Sequence, residues 1–185
     1  MNKLKQNINY IIDELGGSPY IQLSKIEALI ICNWLKKFNP NIMLEIGTAF
    51  GGSAKIFRSA LPECKIITVD LPPSINSKSL WIKKKEDLGK FLSNDIIQEI
   101  GDISECMPKL IEKYKPDIVF HDDGHGDEII RLNIKQCYEG NIKNVIVHDS
   151  HKSWIRKFFS NNDYYNEIYY YKDIRGVSIL GRKYG

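Results

Sequence analysis

The chain has 185 residues, 43% of them hydrophobic, enough to bury one substantial core, and it reads as a single domain over 1–185. Its 26 basic and 23 acidic residues leave a formal charge of +3, without the strong basic excess of a nucleic-acid binder, and no apolar run approaches the roughly 18 residues of a membrane span. Cys32, Cys64, Cys106 and Cys137 are widely spaced with no CxxC pair, so they read as reduced packing residues, and with no export or anchoring signal the expected compartment is the cytoplasm.

Residues 3–15 show helical spacing closed by Gly16-Gly17, and a second helix begins at Ser24, which forms the capping-box pattern Ser-x-x-Glu with Glu27. Ile26, Leu29, Ile30 and Trp34 continue that helix towards Pro40, so two leading helices over 1–40 precede a core over 41–185. From Ile42 the texture changes to short apolar runs: 42–46, 65–69, 96–100, 117–120 and 144–147. Helix candidates alternate with them at Ser53 to Ala60, Lys78 to Leu92, Glu105 to Tyr114, Asp127 to Tyr138 and Lys152 to Ser160. Such alternation predicts βαβ units and hence an α/β, doubly wound, mostly parallel sheet. At the end, 165–171 and 176–180 are joined by only four residues, which permits an antiparallel hairpin and makes the expected sheet seven-stranded. The tyrosines of that hairpin, Tyr164, Tyr165, Tyr169, Tyr170 and Tyr171, read as sheet packing rather than as a stacking platform.

In open α/β sheets ligands bind beyond the carboxyl ends of the strands, so the residues just after each strand carry the chemistry. The first strand runs into Gly47-Thr48-Ala49-Phe50-Gly51-Gly52-Ser53, where Gly47 and Gly51 allow a tight turn and Ser53 is positioned to cap the next helix. The spacing is neither GxGxxG nor a Walker loop, since no lysine follows Gly51. Asp70 ends the second strand about 20 residues after the glycine turn, where a carboxylate can accept bonds from two ribose hydroxyls. Asp102, after the third strand, either takes an adenine amine or caps the helix that follows.

With these features in place, the sequence resembles the class I S-adenosylmethionine (SAM) dependent methyltransferases. The matching segments are Glu45 to Ser53, Val69-Asp70, Gly101-Asp102, the acidic groups after strands four and five, and the terminal hairpin, together about 42–182. Within the class the chain looks most like the compact branch of sugar O-methyltransferases and cephalosporin-type enzymes. The resemblance implies SAM as cofactor, held by Glu45, Gly47, Thr48, Gly51, Ser53, Asp70, Asp102 and Asp122. It further implies methylation of a small acceptor such as a sugar hydroxyl, with no nucleic-acid or membrane partner, and leaves homo-oligomerisation open.

Strands four and five end in His121-Asp122-Asp123-Gly124-His125 and His148-Asp149-Ser150-His151, which hold all four histidines of the chain. Neighbouring carboxylates repel when both are ionised, so a divalent cation such as Mg²⁺ is the simplest resolution; loop aspartates satisfied by backbone amides are the alternative. The resemblance places metal ligands at Asp123, His148 and Asp149, with histidine at one position where a carboxylate is expected. It makes His125 the general base, with Asp123 beside it in the catalytic set. Two other readings compete. Asp70-Leu71-Pro72-Pro73 is superficially similar to the Asp-Pro-Pro-Tyr motif of nucleic-acid methyltransferases, but it follows the second strand and lacks the aromatic. A non-catalytic SAM-binding subunit would keep the glycine turn without the acidic and histidine groups. The leading helices and the segment from Ser74 to Leu92 are the expected acceptor lid.

Overall fold

The computed structural model describes residues 3–18, 20–72, 82, 84–122, 126–173 and 175–183. Two helices come first, α1 (Lys3–Leu15) and α2 (Lys25–Phe38). The alternating core follows as β1 (Ile42–Ile46), α3 (Gly52–Ala60), β2 (Lys65–Asp70), β3 (Ile97–Ile100), α4 (Ile103–Tyr114), β4 (Ile118–His121), α5 (Asp127–Glu139), β5 (Asn144–His148) and α6 (Ser153–Asn161). The hairpin β6 (Tyr165–Tyr171) and β7 (Val177–Arg182) ends it. The sheet order is β3-β2-β1-β4-β5-β7-β6; β1 to β5 pair in parallel, and β7 runs antiparallel to both β5 and β6. This is the mostly parallel seven-stranded sheet with a terminal hairpin that the alternation predicts.

Strand residues alternate between two cores. Met43, Ile66, Ile118, Phe120 and Ile146 pack with Ile8, Ile31, Leu35 and Phe57 of α1, α2 and α3. Leu44, Ile67, Val119, Val145 and Val147 pack with Met107, Ile134 and Ile155 of α4, α5 and α6. Both faces are therefore covered by three helices, and central strands read as apolar runs because neither face meets water. The tyrosine hairpin packs as expected: Tyr165 is fully enclosed with its hydroxyl on the Ile142 carbonyl at 2.8 Å, and Arg156 lies 3.7 Å over the Tyr170 ring.

The helix expected over Lys78 to Leu92 is not what its described part forms. Lys85–Asp87 is a single 3₁₀ turn, and Gly89 (φ +70°) then reverses the chain. The Gly89 N–H donates to the Ala49 carbonyl at 2.8 Å and the Phe91 N–H to the Phe50 carbonyl at 3.0 Å. Tertiary bonding to the glycine turn thus outcompetes helix propensity; the remainder of that expected helix lies outside the described residues. Lys90 extends over the rings of Tyr20, Phe50 and Phe91 at 4.6, 4.9 and 5.1 Å, joining this segment to the leading loop.

Gly52 opens α3 in the tightest packing of the turn. A Cβ there would lie 2.4 Å from Ile21 Cγ1 and 2.5 Å from the Tyr20 carbonyl oxygen, and the backbone carbonyl has no rotamer by which to move aside. Gly52→Ala is expected to destabilise the protein by about 1–3 kcal/mol, the usual cost of overpacking. For a chain of this size that lowers Tm by roughly 2–12 °C, which differential scanning calorimetry reads directly.

Candidate cofactor and metal site

The sheet order reverses between β1 and β4, and the chain leaves both strands at the same rim. On one side of β1 the Gly47 N–H donates to the Val69 carbonyl at 2.9 Å; on the other the Asp122 N–H donates to the Ile46 carbonyl at 2.9 Å. Asp70, ending β2, faces the glycine turn directly. Its Oδ2 accepts the Ala49 N–H and its Oδ1 the Leu71 N–H, both at 2.7 Å. Burial pushes the Asp70 carboxyl above its ordinary pKa, partly offset by those amide donors. An ionised carboxylate has about four acceptor positions, so two amide bonds leave room for further donors. Gly51 (φ +86°) keeps the turn tight, and a Cβ there would meet Leu92 Cδ2 at 2.8 Å.

Beside Asp70 the rim is apolar. Leu71 and Ile100, which pairs with Asp70 across β2 and β3, are 45% and 51% exposed, unusual for large aliphatic residues at a sheet end. Asp102 follows as the N-cap of α4, its Oδ1 accepting the Ser104 N–H at 2.9 Å and the Ser104 hydroxyl at 2.6 Å. The capping alternative for Asp102 is therefore realised.

Two expected cofactor residues take other partners. Ser53 does not cap α3, because the helix starts one residue earlier with Gly51 as its N-cap; the Ser53 hydroxyl instead donates to Glu45 Oε1 at 2.5 Å. The Thr48 hydroxyl pairs with that of Thr68 at 2.7 Å in a buried contact. Glu45 is fully enclosed, and its Oε2 makes no hydrogen bond among the described residues. Burial pushes its carboxyl up to about 8; the Ser53 and Thr68 hydroxyls oppose this, and the charges of Asp122 and Asp70 add to it.

The described histidines, His121, His148 and His151, do not gather at one place. Along β4 the side chains alternate, so His121 points to the α5 face, where its Nε2 meets Asn133 Nδ2 at 3.0 Å. His151 is exposed, its Nδ1 2.6 Å from the Arg175 carbonyl. Asp123 and His125 lie outside the described residues. Among the described histidines, His148 alone enters the rim. Its Nδ1 is 2.7 Å from Asp122 Oδ1 and 3.9 Å from Asp149 Oδ1, and Asp122, His148 and Asp149 form a group with ligand atoms within 4.8 Å of one another. Asp149 sits at φ +55° just past β5, and its buried Oδ1 makes no hydrogen bond among the described residues, with Arg175 Nε 3.9 Å away. Burial alone would lower the His148 pKa, but Asp122 first, then Glu27 and Asp149, outweigh it and raise it. Glu27 is held low despite its burial, through His148 and the Ser24 amide.

No protein-family model and no curated protein matches the sequence significantly. Among solved structures, the SAH-bound methyltransferase PaMTH1 of Podospora anserina superposes with TM-score 0.68 at 12% identity, over 100% of this chain and 89% of that one. A putative caffeoyl-CoA O-methyltransferase from Staphylococcus aureus gives 0.65 at 16%, over 96% and 100%. MycE, from the mycinamycin biosynthetic pathway and solved with Mg and SAH, gives 0.66 at 14%, over 95% of this chain and 54% of that one, so the chain spans about half of MycE. The chain has the methyltransferase fold. On that fold the glycine turn, Asp70 and Asp122 share the crevice at the reversal of strand order, and the described helices include none long and apolar enough to cross a membrane.

Glu27 and Arg175 are the rim's unanticipated contributors. Glu27 reads in sequence only as half of a capping box, a role it keeps, with Ser24 N–H on its Oε2 at 2.8 Å and its own N–H on Ser24 Oγ at 3.2 Å. Its contact with His148 spans 121 positions, and no local pattern signals it.

Proposed function

We propose that this protein is a SAM-dependent methyltransferase that methylates an oxygen of a small acceptor, such as a sugar hydroxyl, with help from a divalent cation. The observation that carries the reading is the Asp70 carboxylate seated against the glycine turn through the Ala49 N–H. Asp70 has acceptor positions left for ribose hydroxyls, Leu71 and Ile100 offer an apolar wall to adenine, and Glu45, whose Oε2 makes no hydrogen bond among the described residues, becomes an acceptor beside the turn once it ionises. SAM, when bound, would supply a sulfonium methyl whose carbon an acceptor oxygen attacks in line, the S–CH₃ bond breaking as the O–CH₃ bond forms and SAH leaving.

The metal fits as well: Asp122, His148 and Asp149 present oxygen and nitrogen donors suited to Mg²⁺ or Mn²⁺, and the buried Asp149 Oδ1 has no hydrogen-bond donor among the described residues. Held by these three residues, a divalent ion would lower the pKa of an acceptor hydroxyl. His148 would hold the ion through Nδ1 only as the neutral ring, without a proton on the nitrogen that now faces Asp122 Oδ1. The family resemblance implies His125 for the remaining proton transfer, an imidazole able to accept a proton near neutral pH, and holding the reactants at near-attack distance would supply much of the rate. The acceptor expected is a small molecule, not a nucleic acid.

The deciding test is calorimetry with SAH, with and without EDTA, alongside methyl transfer to a panel of sugars and phenols. SAH is expected to bind in both conditions. Turnover is expected to fall roughly tenfold or more when EDTA removes the ion and to return with Mg²⁺. Absence of SAH binding at millimolar concentration would overturn the methyltransferase reading, and turnover indifferent to EDTA would overturn the metal.

A further inference from the structure

Glu27 lies in the first turn of α2, and its two carboxylate oxygens face different ways. Oε2 accepts the Ser24 N–H at 2.8 Å, while Oε1 stands 3.4 Å from His148 Nε2. Both side chains are enclosed, at 4% and 0% exposure, and Nε2 makes no hydrogen bond among the described residues. At the opposite edge of the ring, Nδ1 faces Asp122 and Asp149. The two nitrogens of an imidazole are not equivalent, and the partner of one decides what the other is free to do.

We infer that Glu27 is the positioning residue of the ion site: it holds the His148 ring with Nε2–H directed at its own carboxylate, so that Nδ1 is the nitrogen offered to a divalent cation held with Asp122 and Asp149. This role rests on the metal-assisted reading above. Glu27 lies across the ring from the two aspartates, so it acts through His148 and not as a ligand. The capping box gives it rigidity, because the Ser24 N–H arrests rotation of the carboxylate about the bond that would otherwise swing Oε1 away from the ring. It also makes the leading helices part of the site: α2 reaches the rim between β4 and β5 through this one side chain. A carboxylate behind a metal-bound histidine fixes ring orientation and raises ligand basicity, and its loss weakens metal binding roughly 10- to 100-fold.

The test is Mn²⁺ titration calorimetry on the SAH-saturated full chain. Glu27→Gln keeps an oxygen for the Ser24 N–H but loses the anion facing Nε2, and is expected to weaken Mn²⁺ binding roughly 10- to 100-fold while SAH binding stays unchanged. Ser24→Ala removes the hydroxyl half of the box and is expected to leave Mn²⁺ affinity unchanged, which separates positioning from mere loosening of the helix start. A second readout needs no variant: ¹⁵N resonances of the Zn²⁺-loaded wild type should show His148 coordinated at Nδ1 and protonated at Nε2. Wild-type protein that binds SAH but takes up no Mn²⁺ overturns the metal reading and this role with it. Mn²⁺ affinity undiminished in Glu27→Gln, or a ring coordinated through Nε2, overturns the role of Glu27 alone.

Discussion

Asp70→Asn is expected to weaken SAH binding by roughly a hundredfold while leaving the fold intact. Two bonds from ribose hydroxyls to a charged acceptor contribute about 1.5–3 kcal/mol each, and losing the charge of that acceptor forfeits a large part of both. A loss near 2.7 kcal/mol corresponds to a hundredfold in Kd. Asparagine adds a second penalty. Both carboxylate oxygens already accept backbone N–H groups, from Ala49 and Leu71, and an amide has only one oxygen, so its NH₂ must face a donor. The turn then relaxes on one side, and Gly47 and Ala49 lose part of their preorganisation. Calorimetry with SAH gives the affinity, and a thermal melt of the same sample shows that the chain is folded. Affinity within twofold of wild type would mean that Asp70 serves only the turn, and the cofactor assignment would move elsewhere.

The parts of this molecule written in local pattern are legible in the sequence. The apolar runs of β1, β4 and β5 stand out because helices cover both faces, the alternation of runs and helical periods dictates parallel pairing, and the short link between β6 and β7 forces an antiparallel return. Asp70 was legible for the same reason, since strand length fixes its place at the rim. What failed was whatever depends on facing. His121 and His148 each end a strand, yet β4 and β5 turn them to opposite sides of the sheet, one to Asn133 and the other to Glu27. A cluster counted along the sequence therefore overstates the one in space. Ser53 failed for a related reason: two residues of helix phase separate the N-cap Gly51 from Ser53, a first-turn side chain that reaches back to Glu45. The 3₁₀ turn at Lys85–Asp87 was hidden because its cause is a pair of backbone bonds to Ala49 and Phe50, far away in sequence.

Glu45→Gln is expected to stabilise the apo protein at alkaline pH and to do almost nothing at acid pH. The Glu45 carboxyl titrates near 4.5 in an unfolded chain and is pushed up to about 8 in the fold, by burial before all else. Because the folded pKa lies above the unfolded one, the neutral carboxyl's contribution is complete below pH 4.5. Between 4.5 and about 8 the unfolded chain binds fewer protons than the folded one, so stability falls as pH rises. At about 1.4 kcal/mol per unit, the loss has an upper bound of roughly 5 kcal/mol, and the measured figure should be smaller once the site relaxes. Glutamine carries no titrating proton and can still accept the Ser53 hydroxyl, so the wild-type curve should fall away from the variant's as pH rises. Urea unfolding at pH 5, 6.5 and 8 reads the difference, and parallel curves would show that Glu45 is ionised throughout. On the proposed SAM-binding reading the same physics would give Glu45 a role: a buried carboxyl whose pKa is raised would ionise when a cationic amino group such as that of SAM arrives. Binding of SAH at pH 7 should then release a proton in the wild type and not in Glu45→Gln, which calorimetry in buffers of different ionisation enthalpy detects.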